Sequence, residues 1–313
     1  MCAALTASCL AQTYQVNPDN STTPPTSTTA PAQNGKTPSP PDQQLGWGSN
    51  IENARLARAA ELALQKGDHA LGFEYAQRAA QGAPNDPQLW FLLGYAARLD
   101  SKYGQSIDAF KKGLQLSPSS VEGLSGLAQT YSLSGRTGDA ERLLKQAVAT
   151  DPRRKDDLYI LGDINMRAGN YTEAIDWLNK AERLGGTAQN ELLLALAYEH
   201  LGQMSQASHY LELAKGRSPN NPDVERSLAA YYRSSNDYAK AIDELRAIHN
   251  PRPDVVAELA YTYSLAGKPE EAARLYTQAA DALPRDLNLQ LSAAQAEVAV
   301  ESTEGAEIGR AHV

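Results

Sequence analysis

Residues 87–120, PQLWFLLGYAARLDSKYGQSIDAFKKGLQLSPSS, are followed by 121–154, VEGLSGLAQTYSLSGRTGDAERLLKQAVATDPRR, and the second block repeats the first slot for slot. Trp90, Leu93, Gly94, Ser106, Phe110, Gly113 and Pro118 fall at the same offsets as Leu124, Leu127, Ala128, Ala140, Leu144, Ala147 and Pro152, a period of 34 residues. Units in a repeat bury their apolar faces against their neighbours. The 313 residues therefore predict one elongated array rather than the usual two domains.

Read outward in the same frame, units occupy residues 53–86, 87–120, 121–154, 155–187, 188–221, 222–252 and 253–286, with an eighth starting at Leu287. Each opens with apolar or small residues at i, i+3, i+4 and i+7, as in Leu124, Leu127, Ala128 and Tyr131, and again in Val256, Leu259, Ala260 and Tyr263. That spacing is one face of a helix. A break follows at Gly67, Gly135, Gly169, Gly202 and Gly267, with Asn236 in the same slot of the sixth unit. These residues tolerate the positive φ that ends a helix. A second helix then carries Ala140, Leu144 and Ala147, or Ala207, Leu211 and Ala214, until Pro84, Pro118, Pro152, Pro219 or Pro284 stops it. Asp86-Pro87 and Asn221-Pro222 set a capping side chain before a proline at the first helical position.

Small residues recur where the two helices of a unit meet: Gly94, Ala128, Gly162, Ala195, Ala229 and Ala260 on the first, Ala140, Ala174, Ala207, Ala241 and Ala272 on the second. They let two backbones approach while larger neighbours fill the space around them.

This pattern resembles the tetratricopeptide repeat, with its motif W-x2-L-G-x2-Y followed by A, F, A and P. Trp90-x2-Leu93-Gly94 with Phe110 and Pro118 carries the resemblance best, although Ala97 stands where the motif has tyrosine. It extends over about residues 53–306. It implies an all-α fold, an α-solenoid in which antiparallel helix pairs wind into a right-handed superhelix, with the first helices lining a concave groove for a peptide or a partner's helix. Carried onto this chain, the groove slots are Phe91, Tyr95 and Arg98; Gln129; Tyr159, Asp163 and Arg167; Glu199 and His200; Arg226 and Arg233; and Tyr261. Aromatic rings and arginines suit a peptide-binding surface; ordinary helix-surface residues are the competing reading. The Lys and Asn set with which some members hold a C-terminal carboxylate is missing from these slots. Tyr131, Tyr198, Tyr232, Tyr263, Tyr103, Tyr171 and Tyr238 read as packing.

Around the array (residues 49–306) lie three other segments. Residues 1–11 are a short apolar stretch containing both cysteines, Cys2 and Cys9, and ending Cys9-Leu10-Ala11, which suits signal peptidase cleavage but lacks a basic start. A lipoprotein with acylated Cys9, which would tether the chain to a membrane, and an unstructured cytosolic terminus are the alternatives. Residues 12–48 are rich in Pro, Thr, Ser and Asn, with too few apolar groups to offset chain entropy, and read as a disordered linker. Ser49 with Glu52 reads as a capping box opening the first helix. Ala294 and Ala306 mark an eighth unit cut short, with Glu307 early in its second helix; residues 307–313 read as a non-native tail.

Composition and motifs exclude several functions. Net charge is −8 with both signs spread along the units, so there is no basic stripe for nucleic acid. No run reaches the roughly 18 apolar residues of a membrane span. His69, His200, His209, His249 and His312 have no metal-ligand spacing, and no phosphate loop or nucleophile elbow occurs. Asp156-Asp157 and Glu270-Glu271 sit at helix starts, where the helix dipole favours them. The expectation is a scaffold without enzymatic activity, cofactor or metal that binds other proteins, exported to a bacterial periplasm or outer membrane. The alternatives are a cytoplasmic protein and the arm of a larger polysaccharide-export or glycosyltransferase protein. Oligomeric state is open.

Overall fold

The structure, a computed structural model, describes the backbone of residues 51–311 and the side chains of residues 51–302. The signal, the linker and Ser49 lie outside the described residues. Every regular element described is an α-helix, and the helices come in pairs. First helices are α1 (Ile51–Gln65), α3 (Pro87–Leu99), α5 (Val121–Leu133), α7 (Lys155–Arg167), α9 (Ala188–His200), α11 (Pro222–Ser234) and α13 (Pro253–Leu265). Their second helices are α2 (His69–Gly82), α4 (Tyr103–Leu116), α6 (Thr137–Thr150), α8 (Tyr171–Arg183), α10 (Met204–Arg217), α12 (Tyr238–Ala247) and α14 (Pro269–Ala282), and α15 (Leu287–Ala311) follows. From the second unit on, each first helix begins at the residue where the 34-residue frame starts a unit.

One device closes every pair. The residue two past the turn entry has positive φ: Gly67, Gly135, Gly169, Gly202 and Gly267 as expected, and Asn236 at 59°. The next amide reaches back five residues, as from Asp68 to the Ala63 carbonyl at 2.9 Å or from Asp237 to that of Tyr232 at 2.8 Å. This is the Schellman stop, made from main-chain groups. In the second repeat (residues 87–120) Ser101 adopts it, at φ 57°, a position that the sequence pattern leaves blank.

The eighth unit departs from expectation. Glu301 occupies the turn slot, and no glycine or asparagine lies between Ala299 and Thr303. The left-handed conformation is costly for other residues, and α15 runs unbroken from Leu287 to Ala311, through the point where a second helix was to begin.

The sequence predicts one array. By their contacts the helices group into two compact units, dividing after Ile164, since each repeat in such a chain touches only its near neighbours. In the first unit α1 packs on α2, α3 on α4 and α5 on α6, while α2 meets α3 and α4 meets α5. Phe91 and Phe110 are 1% and 3% exposed and lie stacked at 6.3 Å. Glycines make room for them: a Cβ at Gly94 would come within 2.7 Å of the Phe110 ring, and one at Gly113 within 2.3 Å of the Phe91 ring. Burying each ring contributes about 1.5–3 kcal/mol. Ser106 takes a slot that is glycine (Gly72) in the repeat before it and alanine in those after it; its hydroxyl bonds the Gly94 carbonyl at 2.7 Å and Thr130 at 2.9 Å.

The second unit builds its core from the same slots. Ala174, Ala207, Ala241 and Ala272 are at most 1% exposed, and Leu178, Leu211, Leu245 and Leu275, about one turn further along the same helices, are at most 7% exposed. Asn221 caps α11 by accepting from the Asp223 amide at 3.0 Å, as Asp86 caps α3 through Gln88 at 2.9 Å in the first unit.

Candidate functional site

The candidate residues project from first helices, and in the first unit most are not open to solvent. Phe91 was expected on the groove and is a core residue, because Gly113 and Gly123 leave their helices open to its ring. Arg98 is 7% exposed and donates through Nη1 to Gln129 Oε1; Gln129 is 5% exposed. The chain of bonds continues: Gln129 Nε2 donates to Ser125 Oγ at 3.3 Å, Ser125 Oγ donates to Asp157 Oδ1, and Arg154 Nε donates to Asp157 Oδ2 at 2.6 Å. Asp157 is wholly buried, so it is an internal counter-charge and not merely an acid at a helix start. Arg98 lies 5.4 Å from the Tyr95 ring. Burial lowers its pKa to about 10, with Tyr95, Asp157 and Tyr103 opposing, so it stays cationic at neutral pH. Burial likewise pushes the Tyr95 hydroxyl up, with Arg98 pulling it down. Tyr95, Tyr159 and Asp163 are half-buried. This polar chain ties α3, α5 and α7 together.

The second unit presents an open face. Arg167 is exposed at the end of α7, and Glu199 is half-buried on α9. His200 stacks on Tyr171 at 4.4 Å with the rings 4° from parallel. Arg226 forks onto Glu258, donating Nη2 to Oε1 and Nε to Oε2 at 3.2 Å, while Asp254 lies 3.5 Å from Nη1. Hydrogen bonding to Glu258 raises the Arg226 pKa. Arg233 Nη1 donates to Thr262 Oγ1 at 3.3 Å. Tyr261 is 49% exposed.

Sequence reading missed two members of this face, Leu196 and Leu265, 42% and 39% exposed. Leu196, Ala230 and Tyr261 each stand eight residues after the start of α9, α11 and α13, so the slot itself was the available signal. The face can hold apolar side chains and hydrogen-bond polar ones. Among the described residues no group of three or more His, Cys, Asp or Glu is placed to hold a metal, and no helix is long and apolar enough to cross a membrane.

Paired helices closed by one repeated turn and stacked on their neighbours in sequence define an α-solenoid, an architecture that commonly serves to bind other proteins. Family models described as tetratricopeptide repeat match residues 57–121, 126–188, 192–221 and 256–291. The chain belongs to the tetratricopeptide repeat family. Over 121 residues it is 30% identical to cellulose synthase 2 operon protein C of Komagataeibacter xylinus, a match that covers 38% of this chain and 9% of that much longer protein. Among solved structures, a tetratricopeptide repeat protein from Parabacteroides merdae aligns over 79% of this chain and 100% of its own, with TM-score 0.60 and 16% identity. PilW, described as a widely conserved type IV pilus biogenesis factor, aligns over 66% of this chain and 97% of its own, again with TM-score 0.60 and 16% identity. These two share the fold.

Proposed function

We propose that the chain is a non-enzymatic scaffold that holds peptide or helical segments of partner proteins on the face of its first helices, in assembly or secretion at a bacterial envelope. The observation that carries this reading is the set Leu196, Tyr261 and Leu265. Leu196 and Tyr261 hold the same slot of two first helices and Leu265 lies one turn beyond Tyr261, an exposed apolar set that suits an interaction site, and a rigid ring such as Tyr261 anchors a ligand at low entropic cost. The envelope setting rests on the apolar first eleven residues.

A second reading is favoured by the Komagataeibacter relative, whose name places it in a cellulose synthase operon. In that reading the array is the arm of a longer polysaccharide-export protein whose working domain lies elsewhere in the chain. One experiment separates the two: affinity capture from the native source, with intact mass of the endogenous protein, alongside a Leu196→Ala/Tyr261→Ala variant. A partner lost with the variant, on a chain little longer than this one, supports the scaffold. A far longer chain with a synthase or export domain supports the arm, and a partner retained by the variant overturns the assigned face.

A further inference from the structure

Arg226 and Arg233 lie two turns apart on α11, and their electrostatic surroundings differ. Arg226 is neutralised by Glu258 and Asp254. Arg233 makes no ion pair among the described residues; its partner is the neutral hydroxyl of Thr262. Thr262 is wholly buried and donates its proton to the Glu258 carbonyl at 2.7 Å, which fixes the oxygen that accepts from Arg233. Tyr261 precedes Thr262 and Leu265 follows it by three residues, both exposed. A cation with most of its five donors unspent is thus anchored on α13 at Thr262, whose near neighbours in sequence include two uncovered apolar groups. Burying a lone guanidinium under an apolar ligand is costly, whereas a carboxylate matches its fork and offsets its desolvation.

We infer that this corner binds a segment of a partner protein carrying an aspartate or glutamate side chain beside apolar ones, with the carboxylate on Arg233 and the apolar groups on Tyr261 and Leu265. The inference rests on the reading that first-helix faces bind partner segments, and it specifies the chemistry. A side-chain carboxylate fits better than a chain terminus, because the Lys and Asn set that would clamp a terminus is missing from the first-helix slots.

The test is binding of the full chain to an array of N-acetylated, C-amidated dodecapeptides of varied sequence, followed by anisotropy titration of the best binders at low and high salt. Recovered peptides should place Asp or Glu beside Leu or Phe. Arg233→Gln should weaken them about tenfold, as should Asp→Asn in the peptide, and the two changes together should cost little more than one. The charge reversal Arg233→Glu, with unchanged circular dichroism, should switch the preference to basic peptides. Peptides that depend on Tyr261 but show no acidic preference, and no response at Arg233, overturn the inference and leave the binding face standing. An array with no binders overturns both.

Discussion

Arg98 and Arg233 stand at the same slot, eleven residues after the starts of α3 and α11, yet one is sealed and the other open. Arg98 is 7% exposed against the amide of Gln129, in a chain that ends on the buried carboxylate of Asp157. Arg233 is half-buried against a single hydroxyl. The slot does not decide what an arginine does; the residues one repeat further along do. In the first unit they convert a surface cation into an internal tie between repeats. In the second they leave it half-exposed and without a counter-charge among the described residues.

The largest test of this contrast is Asp157→Ala. Removing a wholly buried carboxylate strands Arg154 and Ser125, and stability in urea should fall by about 3 kcal/mol or more. A loss below about 1 kcal/mol would mean that the buried chain is not a tie.

Crossings between paired helices should show no such contrast. Ala140 and Ala174 are both fully buried, so Ala140→Leu and Ala174→Leu should each cost about 1–3 kcal/mol by overpacking. Unequal costs in denaturant titration would expose a packing difference between the units.

Arg226→Ala should lower stability by about 1 kcal/mol at most, and less in high salt, because its ion pairs with Glu258 and Asp254 are partly solvated. A salt-independent loss as large as that of Asp157→Ala would erase the distinction between sealed and open units.

The smallest effect concerns Glu225 on α11, which is 4% exposed with Oε2 unpartnered. Burial raises its pKa above 4.5, Glu244 adds to the rise, and Lys215 and His249 oppose it. The folded state therefore favours the protonated form, and the ionised group destabilises at neutral pH. Glu225→Gln should raise the melting temperature by a degree or two at pH 7. The gain should shrink as pH falls through the raised pKa and vanish below about 4.5, the ordinary carboxylate value. A gain that persists in acid would point to packing rather than charge.

Much of the fold was legible because single slots impose steric demands on the backbone. Gly135 or Gly267 must turn the chain, and Ala140 or Ala241 must let a helix pass; either demand is visible in one residue. Ser101 escaped because its left-handed turn carries no compositional mark. Site residues were less legible, because exposure depends on partners about 30 residues away. Nothing near Arg98 reveals that Gln129 will cover it, and Asp157 was indistinguishable from any acid in a first turn. Phe91 could have been placed: Gly113 and Gly123 within helices are hard to explain without a large ring over them.

The turns that close the pairs are held by main-chain bonds and one left-handed residue, so each repeat carries its own joint. A genetic duplication or loss of one 34-residue block, wherever its breakpoints fall within the frame, regenerates a complete joint at the seam. The number of repeats can therefore drift in whole steps without new contacts being invented. Individual faces, such as the one around Arg233, can meanwhile diverge toward different ligands.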